Sequence, residues 1–368
     1  MNEIRKREFF QTTLDLASKG WGTTHPNPMV GALIVRDQEI LARGYHEKAG
    51  GAHAEVAALE QLDGVSAKGA DMFVSLEPCS TTGRTPPCTQ AILDAGIRKV
   101  FIGTTDPNPA HAGKGLDLLR EAGVEVELAE PNIRMQADRL NFIFNHNQNT
   151  DRPLIALKLA ESANGMVSAS RGTPSRVTEE DARNDVMCWR RLFPAICVGS
   201  GTVLADDPSL TARLPEETFC PVRLVFDSTL FTLADTIPDR KIYGDEFSSR
   251  THILTTSQGI NHADSVDRAR NLGVSIREMP TDKNGHIELS SIHSVLREMD
   301  VNALYCEGGP TLAQSFLDLG LVDYLFRYRS PKIFDGPDAM PAPDLDSLTI
   351  RDSLTQSLGE DHLEHGFL

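Results

Sequence analysis

The stretch Glu77-Pro78-Cys79-Ser80-Thr81-Thr82-Gly83-Arg84-Thr85-Pro86-Pro87-Cys88, taken with His53-Ala54-Glu55 upstream, decides how this chain is read. One histidine and two cysteines supply three ligands to zinc and leave a fourth position for water, the pattern of catalytic sites and not of structural ones. Glu55 lies two residues after His53 at the start of a predicted helix, Ala54 to Leu62. There its carboxylate faces the open position without being a ligand, placed to move protons between water, a ring nitrogen and a departing amine. Cys88 follows Pro87 at a second predicted helix start, Thr89 to Ala95, where the helix dipole favours thiolate. A closed zinc knuckle would need a fourth Cys or His, and the nearest, His46, precedes the His-Ala-Glu element. Two free thiols would leave that element unexplained beside two Pro-Cys pairs.

Working outward, helical and strand patterns alternate. A helix is predicted over Arg5 to Ser18, strands over Val30 to Val35 and Asp71 to Leu76, and a strand over Lys99 to Gly103. A helix over Gly115 to Ala122 and a strand over Val124 to Leu128 complete the first half. Such alternation implies a layered α/β domain. The polar run His146 to Pro153 has linker composition, which sets domains at 1–147 and 152–368. A strand over Leu154 to Leu159 opens the second half. A helix over Thr178 to Leu192 follows, with Thr178 and Asp181 spaced as an N-cap and its N3 partner. Strands at Ala195–Val198, Val222–Phe226, Thr251–Leu254, Val274–Ile276 and Ala303–Cys306 make this a second α/β domain.

The bulk composition agrees with two domains, since 368 residues exceed a usual single core. Residues 1–150 carry 15 Lys and Arg against 19 Asp and Glu, and the remainder 21 against 33, for a net −16. Sequence-blind binding to a nucleic-acid backbone is not expected of so acidic a chain. Anionic small ligands remain open to it through backbone N–H groups. No apolar run is long enough for a membrane span, and no signal core follows the basic N-terminus, so a cytoplasmic protein is expected. Six scattered cysteines are too few for a disulfide scaffold, and Cys197 and Cys306 sit in apolar runs as core residues.

The histidine–glutamate pair and the two cysteines resemble the cytidine-deaminase superfamily, although that superfamily usually spaces its cysteines by two residues and here eight intervene. With Thr24-His25-Pro26-Asn27-Pro28-Met29-Val30-Gly31, Gly44-Tyr45-His46 and Asp106-Pro107-Asn108-Pro109, the first half resembles the bifunctional riboflavin-biosynthesis deaminase/reductases. The resemblance implies a cytidine-deaminase-like three-layer α/β domain followed by a dihydrofolate-reductase-like α/β domain. It implies deamination of 2,5-diamino-6-(ribosylamino)-4(3H)-pyrimidinone 5′-phosphate, with His53, Cys79 and Cys88 on zinc and Glu55 as proton carrier. Asn27 would contact the ribose or ring, and His46 the base edge or phosphate side. Arg84 is the candidate phosphate clamp, against the plainer reading of a solvated loop residue. Thr81 stands where relatives commonly carry histidine, which bears on base recognition.

In the second half, Glu307-Gly308-Gly309-Pro310-Thr311 turns from a strand into a predicted helix, a place where backbone N–H groups approach a phosphate. Together with the run Gly199 to Arg213, it resembles the reductase half of the same family. By matching positions, Ala160, Arg176, Thr202, Asp206 and the loop Gly308, Gly309, Pro310 and Thr311 would touch NADPH. Arg190, Leu210, Arg213 and Glu307 would line a phosphorylated sugar. Asp207 has an alternative role as a turn former before Pro208. Asn164 stands where the family has aspartate, Arg176 where it has tryptophan and Pro174 where it has serine, departures that bear on cofactor preference and reductase competence. The alternatives are a deaminase-only member with a degenerate reductase domain, a nucleoside or nucleic-acid deaminase with an unrelated C-terminal module, and a zinc-stabilised scaffold. Glu55 speaks against the last, because a scaffold has no use for it. The expected partner is a small phosphorylated aminopyrimidine, with no nucleic acid and no membrane, and a homo-oligomer is left open.

Overall fold

The computed structural model describes residues 1–81 and 86–368, which divide into two compact units, Met1–Asp151 and Arg152–Leu368. In the first unit, α1 (Glu3–Ser18) is followed by β1 (Gly31–Arg36), β2 (Glu39–Tyr45), α2 (Ala54–Glu60) and β3 (Asp71–Leu76). Then come α3 (Cys88–Asp94), β4 (Lys99–Thr104), α4 (Lys114–Glu121), β5 (Glu125–Leu128), α5 (Pro131–Leu140) and α6 (Phe142–Asn149). The five strands form one sheet in the order β2-β1-β3-β4-β5, antiparallel across β2, β1 and β3 and parallel from β3 to β5.

Alternation along these strands sends side chains to opposite faces. Ala32, Ile34, Met72, Val74, Val100 and Ile102 pack with Ala54, Ala58, Ile92, Leu116 and Leu119 from α2, α3 and α4. Leu33, Val35, Phe73 and Phe101 pack with Phe9, Phe10, Leu16 and Ile133 from α1 and α5. The result is the expected three-layer sandwich. Two glycines bring backbone close to the site. A Cβ at Gly44 would lie 2.3 Å from the Ala54 carbonyl oxygen, so glycine lets the N-terminus of α2 rest on β2. A Cβ at Gly115 would lie 2.3 Å from the Pro78 carbonyl oxygen, so α4 abuts the turn that carries Cys79.

Several boundaries differ from expectation. Strand β2 is absent from the sequence reading because its inward positions Ala42 and Gly44 are small and Arg43 between them is exposed, which leaves no apolar run. Helix α6 continues to Asn149, so half of the supposed linker is helical, with His146, Asn147 and Gln148 half-buried behind an apolar start, Phe142-Ile143-Phe144. In the second unit, Glu179 is the N-cap of α7 (Glu180–Leu192) and caps with no side-chain hydrogen bond, so the expected Thr178–Asp181 pairing does not form.

The second unit is built on a nine-stranded sheet. Seven strands run parallel, in the order Ser275–Glu278, Thr251–Thr255, Val222–Phe226, Ala195–Gly199, Ala303–Cys306, Leu154–Glu161 and Tyr324–Arg329. The hairpin Arg351–Leu358 and Asp361–Phe367 adds antiparallel strands at one edge. One face packs Ile155, Leu157, Leu224, Leu254 and Leu304 against Ile292, Leu296 and Phe316. On the other, Trp189 of α7 and its C-cap Phe193 meet Phe326, with ring centroids 4.6 and 6.2 Å away. The parallel order places the loops after Ala195–Gly199 and Ala303–Cys306 side by side at the sheet's C-terminal edge, where ligands bind in open α/β sheets.

Candidate active sites

In the first unit, two helix starts and one turn converge. His53 is the N-cap of α2, Cys88 opens α3, and Cys79 lies in the turn after β3. His53 Nδ1 is 3.2 Å from Cys88 Sγ and 3.6 Å from Cys79 Sγ, and the three donor atoms lie within 4.8 Å of one another. Tetrahedral ligands at bonds of about 2.0–2.3 Å are separated by roughly 3.5–3.8 Å, so the set fits zinc. The Cys88 backbone N–H donates to Cys79 Sγ at 3.3 Å. Hydrogen bonds from Cys88 and from His53 draw the Cys79 thiol down to about 4, while the Cys88 thiol, which shares its proton with Cys79 and is buried, is raised.

Glu55, one turn-step along α2 from His53, is 3% exposed. Burial pushes its carboxyl up to about 7, a value suited to taking and returning protons near neutrality. His46 is also buried. Its Nδ1 lies 2.9 Å from the Ala52 carbonyl and its Nε2 3.3 Å from Asn27 Nδ2, so Nδ1–H donates to the carbonyl and Nε2 accepts from the amide. Burial lowers the His46 pKa, in keeping with that neutral form. The His46 and His53 rings meet edge to face, with centroids 5.6 Å apart. Thr81 is exposed, and Arg84 lies outside the described residues.

Glu77 is a residue that the sequence reading missed. It is 6% exposed, and its carboxylate accepts backbone N–H groups from Asp106 (3.0 Å), Gly113 (3.0 Å) and Gly115 (2.8 Å). It thereby fastens the Asp106–Gly115 loop to the turn that carries Cys79. Its signal was only its place beside Pro78-Cys79.

In the second unit, the Gly308-Gly309 turn and α8 (Ser200–Asp206) come together. The Thr202 hydroxyl donates to the Gly308 carbonyl at 3.2 Å, and a Cβ at Gly309 would lie 3.0 Å from Thr202 Oγ1, so the cradle accepts no side chain there. Gly309 is the N-cap of the nine-residue helix Pro310–Asp318, with Thr311 exposed in its first turn. Free N–H groups at a helix start next to a glycine-lined cradle fit a dinucleotide phosphate. Arg190 and Glu307, with side chains 11% and 9% exposed, form a bidentate pair at 2.6 and 2.8 Å. Arg190 also donates to the Thr211 carbonyl at 3.0 Å. Buried Glu307 is held below the usual carboxylate range by Arg190 against the opposing effect of burial.

Leu210 is 2% exposed, and the exposed Arg213 donates to Ser209 Oγ and Thr211 Oγ1 at 2.9 and 3.1 Å. Asp207 has φ +43° and accepts from the Lys241 backbone N–H at 2.8 Å, which accounts for it as a turn residue. Ala160 stands in register with Tyr328 on the neighbouring strand, and Asp206 ends α8. Arg176 is exposed, its carbonyl accepts from Lys332 Nζ at 2.9 Å, and its charge acts on Glu179. Asn164 lies in a turn: its side-chain carbonyl accepts from Ser162 Oγ (2.7 Å) and Phe334 N (3.1 Å), and its amide donates to the Phe334 carbonyl (3.0 Å).

Lys158 also escaped the sequence reading. It lies in the apolar strand run Leu154-Ile155-Ala156-Leu157-Lys158-Leu159-Ala160, where a lysine is itself a signal. Burial lowers its pKa, and the charges of Glu307, Arg190 and Asp206 act on it.

The description "RibD C-terminal domain" matches residues 153–363, more than half of the chain, and "cytidine and deoxycytidylate deaminase zinc-binding region" matches residues 4–104. The riboflavin biosynthesis protein RibD of Aquifex aeolicus is 36% identical over 368 residues, covering 98% of both chains. That of Bacillus amyloliquefaciens is 39% identical over 328 residues, covering 89% of this chain and 85% of its own.

The chain belongs to the RibD family.

Two solved RibD structures are similar along the whole length. The deaminase/reductase of Thermotoga maritima is 32% identical with a TM-score of 0.81 and 98% coverage of both chains. Acinetobacter baumannii RibD is 31% identical with a TM-score of 0.79 and 99% coverage of both. The chain thus joins a zinc-binding deaminase domain to a reductase domain of the NADPH-dependent kind. Among the described residues, no helix is long and apolar enough to cross a membrane.

Proposed function

We propose that residues 1–147 remove the 2-amino group of 2,5-diamino-6-(ribosylamino)-4(3H)-pyrimidinone 5′-phosphate, and that residues 152–368 then reduce the ribosyl group to ribityl. The observation that carries the first step is a buried Glu55 beside the His53, Cys79 and Cys88 cluster. Those three side chains would hold zinc, which when bound supplies Lewis acidity that lets water deprotonate near neutral pH. Glu55 takes one proton from the attacking water and gives it to the ring nitrogen, then moves the second, from the hydroxyl left on the ring carbon, to the amine, which leaves as ammonia as the carbonyl forms. Asn27 and the neutral His46 offer an amide and an imidazole edge to the ring or ribose, and Arg84 is assigned the phosphate.

For the second step, Ala160, Arg176, Thr202, Asp206 and Gly308 to Thr311 are assigned to NADPH, which supplies the hydride when bound. Arg190, Leu210, Arg213 and Glu307 are assigned to the phosphorylated sugar, with Lys158 adding positive charge to the same cleft. The reductase match over residues 153–363 favours this reading over a deaminase-only chain. Six free cysteines support a reducing, cytoplasmic setting.

The test is to supply the pathway substrate to purified protein and follow ammonia release and NADPH absorbance separately. Both signals, in that order, are expected. Ammonia without NADPH oxidation would discard the second step, and no ammonia from zinc-loaded protein would discard the first.

A further inference from the structure

Among the described residues, Arg223 is the largest side chain with no solvent exposure. It lies on the strand Val222–Phe226, below the segment that carries Leu210 and Arg213. Every part of its guanidinium is engaged. Nε donates to Thr251 Oγ1 at 2.9 Å, and Nη2 to the Ile242 carbonyl at 2.9 Å and to Asp245 Oδ1 at 2.8 Å. Nη1 donates to Asp245 Oδ2 at 2.6 Å and to the Ser209 carbonyl at 2.9 Å.

The contact with Ser209 sets Arg223 apart from an ordinary buried ion pair. Ser209 lies between two non-glycine residues in the left-handed region, Asp207 at φ +43° and Leu210 at φ +53°. Backbone of that kind persists only where the surroundings over-determine it. Here the segment is held from below by Arg223 through the Ser209 carbonyl, and at its start by the Lys241 backbone N–H on Asp207. Its far side is held by Arg190 through the Thr211 carbonyl. The Ser209 hydroxyl in turn accepts from Arg213 Nη1. A continuous path therefore runs Asp245–Arg223–Ser209–Arg213, from a buried charge pair to an exposed guanidinium.

We infer that Arg223 is a positioning residue for reduction: by fixing the Ser209 carbonyl it presets Leu210 and Arg213 to receive the phosphorylated sugar. This rests on the assignment of Arg213 to that sugar. Arg223 touches no substrate itself. Its effect belongs in substrate affinity, because an arginine held in place before binding loses less freedom on binding.

The experiment uses the full chain, with reductase KM and kcat measured on the deaminated intermediate for Arg223→Lys, Arg213→Ala and the double variant. Deaminase activity and thermal unfolding serve as controls for fold. Lysine keeps the buried charge opposite Asp245 but cannot reach four acceptors with a fixed fork. Arg223→Lys is expected to raise KM roughly tenfold, the scale of one misplaced charge-assisted contact, with kcat near wild type. In the Arg213→Ala background the same change should have little further effect on KM, since the two act through one contact. A purely structural role would give effects that add. Asp245→Asn, which loosens Arg223 from the opposite side, should repeat the KM effect and the non-additivity. Additive KM effects, an unchanged KM in folded Arg223→Lys, or collapse of the reductase unit in both variants would each overturn the inference. If Arg213→Ala itself leaves KM unchanged, the assignment of Arg213 fails instead.

Discussion

The two units organise their chemistry in opposite ways. In the first, His53 and Glu55 stand two residues apart at one helix start, and Cys79 and Cys88 are nine apart in sequence, so the atoms proposed for the chemistry come from short stretches. In the second, Lys158, Arg190, Thr202, Arg213 and Glu307, the residues proposed for the cofactor and sugar, come from five separate segments. Metal ligation demands fixed residue types at short range, whereas cofactor and sugar binding draws on backbone, shape and dispersed charge. The first kind of site should therefore fail all at once, and the second by degrees.

The sharpest test of that contrast is metal removal. Chelation, or Cys79→Ala, should abolish ammonia release while NADPH oxidation with the deaminated intermediate continues. Elemental analysis should give about one zinc per chain beforehand. A protein without zinc, or parallel loss of both activities, would break the comparison. Next in size, Glu55→Gln should keep zinc yet slow deamination by at least ~10²–10⁴, the usual effect of a lost general acid–base group. Reduction should be untouched, and near-normal ammonia release would reassign the proton carrier.

A stability measurement sharpens the same point. In metal-free protein, burial raises Glu55 to about 7 from an ordinary 4.5. The folded state then binds the proton more tightly than the unfolded one, so this group's contribution is fully present below about pH 4.5 and is lost as pH rises through 7, by up to ~3 kcal/mol. Denaturant titrations of the metal-free first unit should show that slope, and Glu55→Gln should flatten it. Smallest is the second site: Arg213→Ala should weaken reduction by about 1.5–3 kcal/mol in kcat/KM, the value of a charge-assisted contact. Deamination should be spared, and if it is lost in folded protein the two-site picture fails.

This contrast also governs what the sequence disclosed. The convergence of His53, Cys79 and Cys88 was legible because the spacing is that of a metal-binding pattern. The three-layer fold was legible because helices alternate with short apolar strands. Strand β2 escaped because its inward Ala42 and Gly44 are small and leave no apolar run, and that same glycine is where α2 must approach the sheet. The polar run ending α6 read as a linker because its half-buried side chains, His146, Asn147 and Gln148, are polar and carry no apolar periodicity. Glu77 and Arg223 were invisible for a different reason: each works through backbone groups distant in sequence, with partners that no motif encodes. Lys158 was legible in principle, as a charge in an apolar strand, and required only that the exception be noticed.

Gly44 carries one more consequence. With the Ala54 carbonyl 2.3 Å from where a Cβ would stand, any larger residue there must lift the first turn of α2 as a block. His53 and Glu55 would move together, keeping their mutual distance while shifting against Cys79 and Cys88. A survey of random variants scored by deamination would therefore flag position 44 as though it were part of the catalytic machinery, although it bears no functional group. For the same reason, redesign of this site has one adjustable element where the residue count suggests two: His53 and Glu55, the proposed metal ligand and proton carrier, can be re-aimed only as a pair.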